Sequence, residues 1–122
     1  MKKIHYNKLI RDGIPATIKR HGGDYKIRRL KQREFEAELL KKAVEESGGL
    51  MAAKTKQELA NELADLLIVL EEIKKTKRIP EKMVAKAVKD NLKRKGGFKK
   101  RIYLFWSSDT GYKTNERRYK RK

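Results

Sequence analysis

The chain has 122 residues, 38% of them hydrophobic, with 34 Lys and Arg against 16 Asp and Glu and a formal net charge of +18. That is the length of one domain with a modest core, and the absence of Cys excludes disulfides, zinc knuckles and thiol catalysis. No apolar run approaches the roughly 18 residues of a membrane span, and Met1-Lys2-Lys3-Ile4-His5-Tyr6 lacks the apolar core of a signal peptide, so a cytoplasmic protein with no membrane partner is expected.

Residues 1–31 hold ten Lys and Arg against two acids. Asp12-Gly13-Ile14-Pro15 and His21-Gly22-Gly23-Asp24 are turn signals. The stretch reads as an irregular, basic N-terminal arm. From Gln32 the period becomes helical, with Phe35, Leu39, Leu40, Ala43 and Val44 on one face. Ser47-Gly48-Gly49 is expected to end this helix, because two interior glycines cost about 2 kcal/mol relative to alanine.

Thr55-Lys56-Gln57-Glu58 matches a capping box and opens a second helix. Leu59, Leu63, Leu66, Leu67, Leu70 and Ile73 form its main apolar face, and Ala60, Ala64, Ile68 and Val69 widen it. A helix this apolar belongs at the centre of a bundle or in a subunit interface. Asp65 is the one charge between residues 63 and 70 and is expected to be structural, buried against a cation or hydrogen-bond partner. Lys74 and Lys75 suit the C-terminal dipole, and Pro80 suits a first helical position. Met83, Val84, Ala87, Val88 and Leu92 make a third apolar face, which Gly96-Gly97 stops. Residues 101–106 read as a short strand or an extended tail packed on the bundle, with Phe98 and Tyr103 in the core. Three helices with short links predict an all-α, antiparallel helical bundle. The expected divisions are an arm at 1–31, a helical domain at 32–104 and a basic tail at 105–122.

Residues 32–92 hold twelve Lys and Arg and twelve acids, whereas residues 93–122 hold twelve against two. The whole net charge therefore lies at the two ends. A balanced centre with two cationic flanks points to a polyanion, and nucleic acid is the foremost candidate. The candidate RNA contacts are Lys8, Arg11, Lys19, Arg20, Arg28 and Arg29 in front. Behind, they are Lys93, Arg94, Lys95, Lys99, Lys100 and Arg101, then Arg117, Arg118, Lys120, Arg121 and Lys122. Trp106 and Tyr119 offer faces for unstacked bases. His5 and His21 have no metal-ligand spacing, and neither a Walker loop nor a dinucleotide fingerprint is present.

Glu45 and Glu46 close the first long helix, while Glu62 and Asp65 are i, i+3 on the next. Spacing alone favours solvated charges at Glu45, Glu46 and Glu62 and an ion pair at Asp65 over a set of Mg²⁺ ligands. Tyr6-Asn7-Lys8-Leu9-Ile10-Arg11-Asp12-Gly13-Ile14-Pro15, then Val44-Glu45-Glu46, then Glu62-Leu63-Ala64-Asp65, then Lys95-Gly96-Gly97-Phe98-Lys99-Lys100-Arg101-Ile102-Tyr103-Leu104 together resemble the signatures of a MazG-like family of all-α nucleotide pyrophosphohydrolases. The resemblance runs over residues 5–104. It implies Mg²⁺-dependent cleavage of nucleoside triphosphates to monophosphate and pyrophosphate, with the acids as ligands and the basic signatures on phosphates.

This chain departs from that pattern. Gly48 and Gly49 stand where the family offers a further acid, Gly13 stands in place of a Lys, and Lys95 in place of an Arg. The family is acidic, and this chain is +18. The expectation is therefore a vestigial cluster of Glu45, Glu46, Glu62 and Asp65, no metal or other cofactor, and no enzymatic activity. The expected role is an RNA-binding structural protein, a monomer within the ribosome against ribosomal RNA and neighbouring proteins. The large subunit is favoured, and a composition rich in Lys, Arg and Glu suggests an archaeal source. The alternative is an active, Mg²⁺-dependent nucleoside triphosphate pyrophosphohydrolase.

Overall fold

The computed structural model describes residues 2–111. These residues are all-helical, with four helices and no strand among them: α1 (Ile14–Arg20), α2 (Gln32–Ala52), α3 (Lys56–Thr76) and α4 (Glu81–Lys95). None is long and apolar enough to cross a membrane. Contacts divide the chain into two compact units, Met1–Ala87 and Val88–Lys122.

The front segment is less irregular than its turn signals suggest. Pro15 falls in the first turn of α1, where its fixed φ favours helix and its missing N–H is not needed. Lys19 and Arg20 fall in the last turn, where the dipole favours cations.

The expected break at Ser47-Gly48-Gly49 does not occur: α2 runs through both glycines to Ala52. Its last turns lean on α3. Leu50 and Ala53 are half-buried, and a Cβ on Gly49 would overlap the Glu62 carboxylate. Propensity is a weak prior, and tertiary contact outweighs it here. The Thr55 cap forms as expected, while the reciprocal bond of the capping box falls one residue before the cap. The Glu58 N–H donates to Thr55 Oγ1 at 3.1 Å, and Glu58 Oε2 accepts from the Lys54 N–H at 2.6 Å.

The packing lies between α2 and α3. The start of α2 lies by the end of α3, with Lys77 Nζ 3.3 Å from Glu36 Oε1, and the end of α2 meets the start of α3 at Gly49 and Glu62. Leu39 and Val69 form the buried core among the described residues. The α2 face that turns inward carries Phe35, Leu39, Lys42, Ala43 and Glu46, at the i, i+3, i+4 spacing of one helix face. Leu40 and Val44, expected on that face, lie around the helix from it and are exposed. On α3 the inward face is Glu62, Asp65, Leu66, Val69 and Ile73, while Leu59, Leu63, Leu67 and Leu70 are exposed. Lys74, at the end of α3, pairs with Glu71 at 2.6 Å and with Glu81 at the start of α4.

α4 ends where expected. The Gly96 N–H donates to the Leu92 carbonyl at 2.8 Å with φ +76, the left-handed geometry that glycine tolerates past a helix end. Residues 101–106 form no strand, and Phe98 and Tyr103 are not core: Phe98 is 97% exposed and Tyr103 77%.

Candidate functional site

The continuous α2 carries Glu46 to the α3 face that bears Glu62 and Asp65. Carboxylate oxygens of these three residues lie within 4.8 Å of one another, and all three are half-buried. Three of the four acids singled out in the sequence therefore converge. Gly49 makes room for this, since it sits where the Glu62 carboxylate leans toward α2. Glu45, one residue along from Glu46, is not part of the trio.

Cations close in on these acids from two directions. Lys42 lies one turn before the Glu pair, with its side chain only 13% exposed. Its ammonium is 2.8 Å from Glu45 and 3.7 Å from Glu46. From the N-terminal segment, Lys8 donates to Glu45 and Arg11 lies 3.5 Å from Asp65. Lys42, and then Lys8, hold the Glu45 carboxyl below the usual carboxylate range. The hydrogen bond from Glu45 in turn holds the Lys8 ammonium above its ordinary value. Asp65 has a cation but is not buried: its side chain is 46% exposed. Its pair with Arg11 is a solvent-facing one, which corrects the expectation of a buried charge.

Sequence spacing missed Lys42 as a partner, although i, i+3 and i, i+4 pairs to Glu45 and Glu46 are legible on a helix. It also missed that Lys8 and Arg11 reach α2 and α3. Those contacts join residues far apart in sequence, so no local pattern carries them.

The other cations named from the sequence fall into two groups. In front, Lys19 meets Asp24 at 2.9 Å and Arg28 meets Glu34 at 2.7 Å. The hydrogen bonds hold both acids below their ordinary values and both cations above. Arg20 donates to Thr17 Oγ1 at 2.9 Å. Arg29 meets no acid among the described residues. Behind, Lys93, Lys95, Lys99, Lys100 and Arg101 form no ion pair among the described residues, and Arg94 donates only to Asn91 Oδ1 at 3.0 Å. Trp106 is 80% exposed. Arg117, Arg118, Tyr119, Lys120, Arg121 and Lys122 lie outside the described residues.

The arrangement offers two chemistries. The carboxylate cluster presents hard oxygen donors, with Lys42 beside Glu46 and Arg11 beside Asp65. The segment at the end of α4 and just beyond it presents cations that form no ion pair among the described residues. In comparisons with family models, curated proteins and solved structures, nothing matches the chain.

Proposed function

We propose that the protein is an RNA-binding structural protein of the cytoplasm, with the ribosome as its assembly, built on a MazG-like helical scaffold whose carboxylate site is closed by internal ion pairs. The observation that carries this reading is the distribution of charge. The centre is neutral, and the excess of +18 lies wholly in residues 1–31 and 93–122. Cations left without carboxylates gain most from phosphates, because each phosphate neutralised releases a condensed counterion. The state of the acids agrees. Glu45, Glu46 and Asp65 each have Lys8, Lys42 or Arg11 beside them, so the cluster's attraction for a divalent cation is reduced. The test is sedimentation of the purified protein with ribosomal subunits. Co-sedimentation that survives high salt supports the ribosomal reading. A protein left in the supernatant at every salt concentration refutes it.

A second reading, Mg²⁺-dependent nucleoside triphosphate pyrophosphohydrolysis, is favoured by one specific observation. The helix that was expected to break at Gly48-Gly49 is intact, and it carries Glu46 to Glu62 and Asp65. The donor set fits Mg²⁺, which takes carboxylate oxygens together with waters and substrate phosphates. Glu46, Glu62 and Asp65 would hold it. When bound, Mg²⁺ supplies charge neutralisation at the phosphates. Lys8 and Arg11 stand near enough to this cluster to hold phosphate oxygens in place of carboxylates. Position 49 counts against this reading, since a glycine stands where the resemblance calls for an acid. Pyrophosphate release from nucleoside triphosphates at about 1 s⁻¹ or faster with Mg²⁺ would establish it.

A further inference from the structure

Between Asp90 and Asp109 the chain has no carboxylate, yet it carries six cations and four aromatic rings. The cations come first, at Lys93, Arg94 and Lys95 in the last turn of α4 and at Lys99, Lys100 and Arg101 just beyond. The rings follow. Phe98, Tyr103, Phe105 and Trp106 are each 77% exposed or more. Tyr103 and Phe105 share a side of the chain, with ring centroids 5.2 Å apart and planes at 66°. The Arg101 N–H closes a turn on the Phe98 carbonyl at 3.1 Å, and Arg101 takes a φ of +54, uncommon for a residue with a side chain. That turn joins the cationic stretch to the aromatic one.

Resting on the RNA reading above, we infer that residues 93–106 form a binding site for single-stranded RNA, in which the cations track the backbone and Tyr103, Phe105 and Trp106 stack on successive bases. Exposed rings cost free energy in water unless something covers them, and the flanking charge selects the cover. A second copy of the same stretch would bring six cations against six with no acid between them. An anionic membrane surface favours an amphipathic helix, whose backbone groups are already paired. Residues 101–106 form neither helix nor strand. A duplex keeps its base faces stacked and has none to offer the rings. A single strand has both phosphates and free base faces, and aromatic rings beside a positive groove are how such strands are held without sequence preference.

The chain has one Trp, so its fluorescence reports on Trp106 alone. The full-length protein is titrated with a single-stranded oligouridine, with an RNA duplex of equal length, and with phosphatidylserine vesicles. The single strand is expected to quench Trp106 and to bind more tightly than the duplex. Tyr103→Ala with Phe105→Ala is expected to weaken single-strand binding by about 5- to 150-fold for each stack lost, while the dependence of affinity on salt keeps its slope. Equal affinity for both RNAs with Trp106 silent overturns the stacking site and leaves the RNA reading intact. No binding to either RNA at low salt overturns both. A Trp106 response to vesicles or to protein concentration alone, without a response to RNA, assigns the rings to lipid or to a second copy and overturns the inference.

Discussion

The two cationic ends of this protein are alike in sequence and unlike in structure. In residues 1–31, Lys8, Arg11, Lys19 and Arg28 each sit against a carboxylate. In residues 93–101, none of the six cations meets an acid among the described residues. The difference follows from what surrounds them. Lys8, Arg11 and Arg28 of the front segment reach α2 and α3, which carry ten of the sixteen acids of the chain, and Lys19 meets Asp24 within the segment itself. Between Asp90 and Asp109 the sequence has no acid. Formal charge counts both ends equally, but only unneutralised charge attracts a polyanion at full strength. Lys8, Arg11 and Arg28 tie the front end to α2 and α3, while the six cations behind form no ion pair among the described residues.

The sharpest break of this contrast is the salt dependence of RNA binding. For single-stranded RNA, log affinity falls against log salt by about 0.7 per phosphate neutralised. Replacing Lys93, Arg94, Lys95, Lys99, Lys100 and Arg101 by Gln should flatten that slope by as much as about 4 units. The matched replacement of Lys8, Arg11, Lys19, Arg20, Arg28 and Arg29 should flatten it by only about 1 to 2 units, since Arg20 and Arg29 alone lack a carboxylate. Equal changes would mean that the front ion pairs open on binding.

The front end should show its worth in stability instead. Lys42→Ala removes the cation shared by Glu45 and Glu46, and denaturant unfolding should lose about 1–2 kcal/mol. Gly48→Ala meets open space and should gain about 1 kcal/mol from helix propensity. Gly49→Ala has the same propensity gain but must push the Glu62 carboxylate away, so its gain should be smaller. Equal gains would show that Glu62 swings aside at no cost.

The pH dependence has a definite sign. Asp24, Glu34 and Glu45 are all held below their ordinary values by their cations. Their contribution is fully present above those ordinary values, about 4.5 for Glu45, and is lost as pH falls through the lowered ones. Thermal unfolding should be flat near neutrality and decline below that point, and Glu45→Gln should flatten the decline. The smallest effect belongs to Asp65→Ala. Its pair with Arg11 is open to solvent, so the cost should be at most about 1 kcal/mol. A loss of several kcal/mol would show that Asp65 is desolvated after all.

Much of the scaffold was legible because its signals are local. The Thr55 cap, the end of α4 at Gly96 and the all-helical class each rest on a few neighbouring residues. The errors arose where distant residues decide. Gly48 and Gly49 look like a helix end until Glu62 fills the space beside Gly49. Leu40 and Val44 look inward until Lys42 and Glu46 take that face against α3. Asp65 looks buried because its neighbours along the chain are apolar, yet Arg11 meets it from the open side. Phe98 and Tyr103 look like core because aromatic residues usually are. The cluster's members were identified from spacing and resemblance, but the ion pairs that surround them join opposite ends of the fold.

The same geography sets an order of assembly. α2 and α3 are separated by only three residues, Ala53, Lys54 and Thr55, so their pairing closes a short loop. The bond from Lys8 to Glu45 spans 37 residues and closes a much longer one, at a higher entropic cost. Local contacts form fast and distant ones late. The helical pair is thus the early structure, and the front segment fastens onto a surface that already exists. Its attachment is a late kinetic event, made of solvent-facing ion pairs and therefore the first to open again.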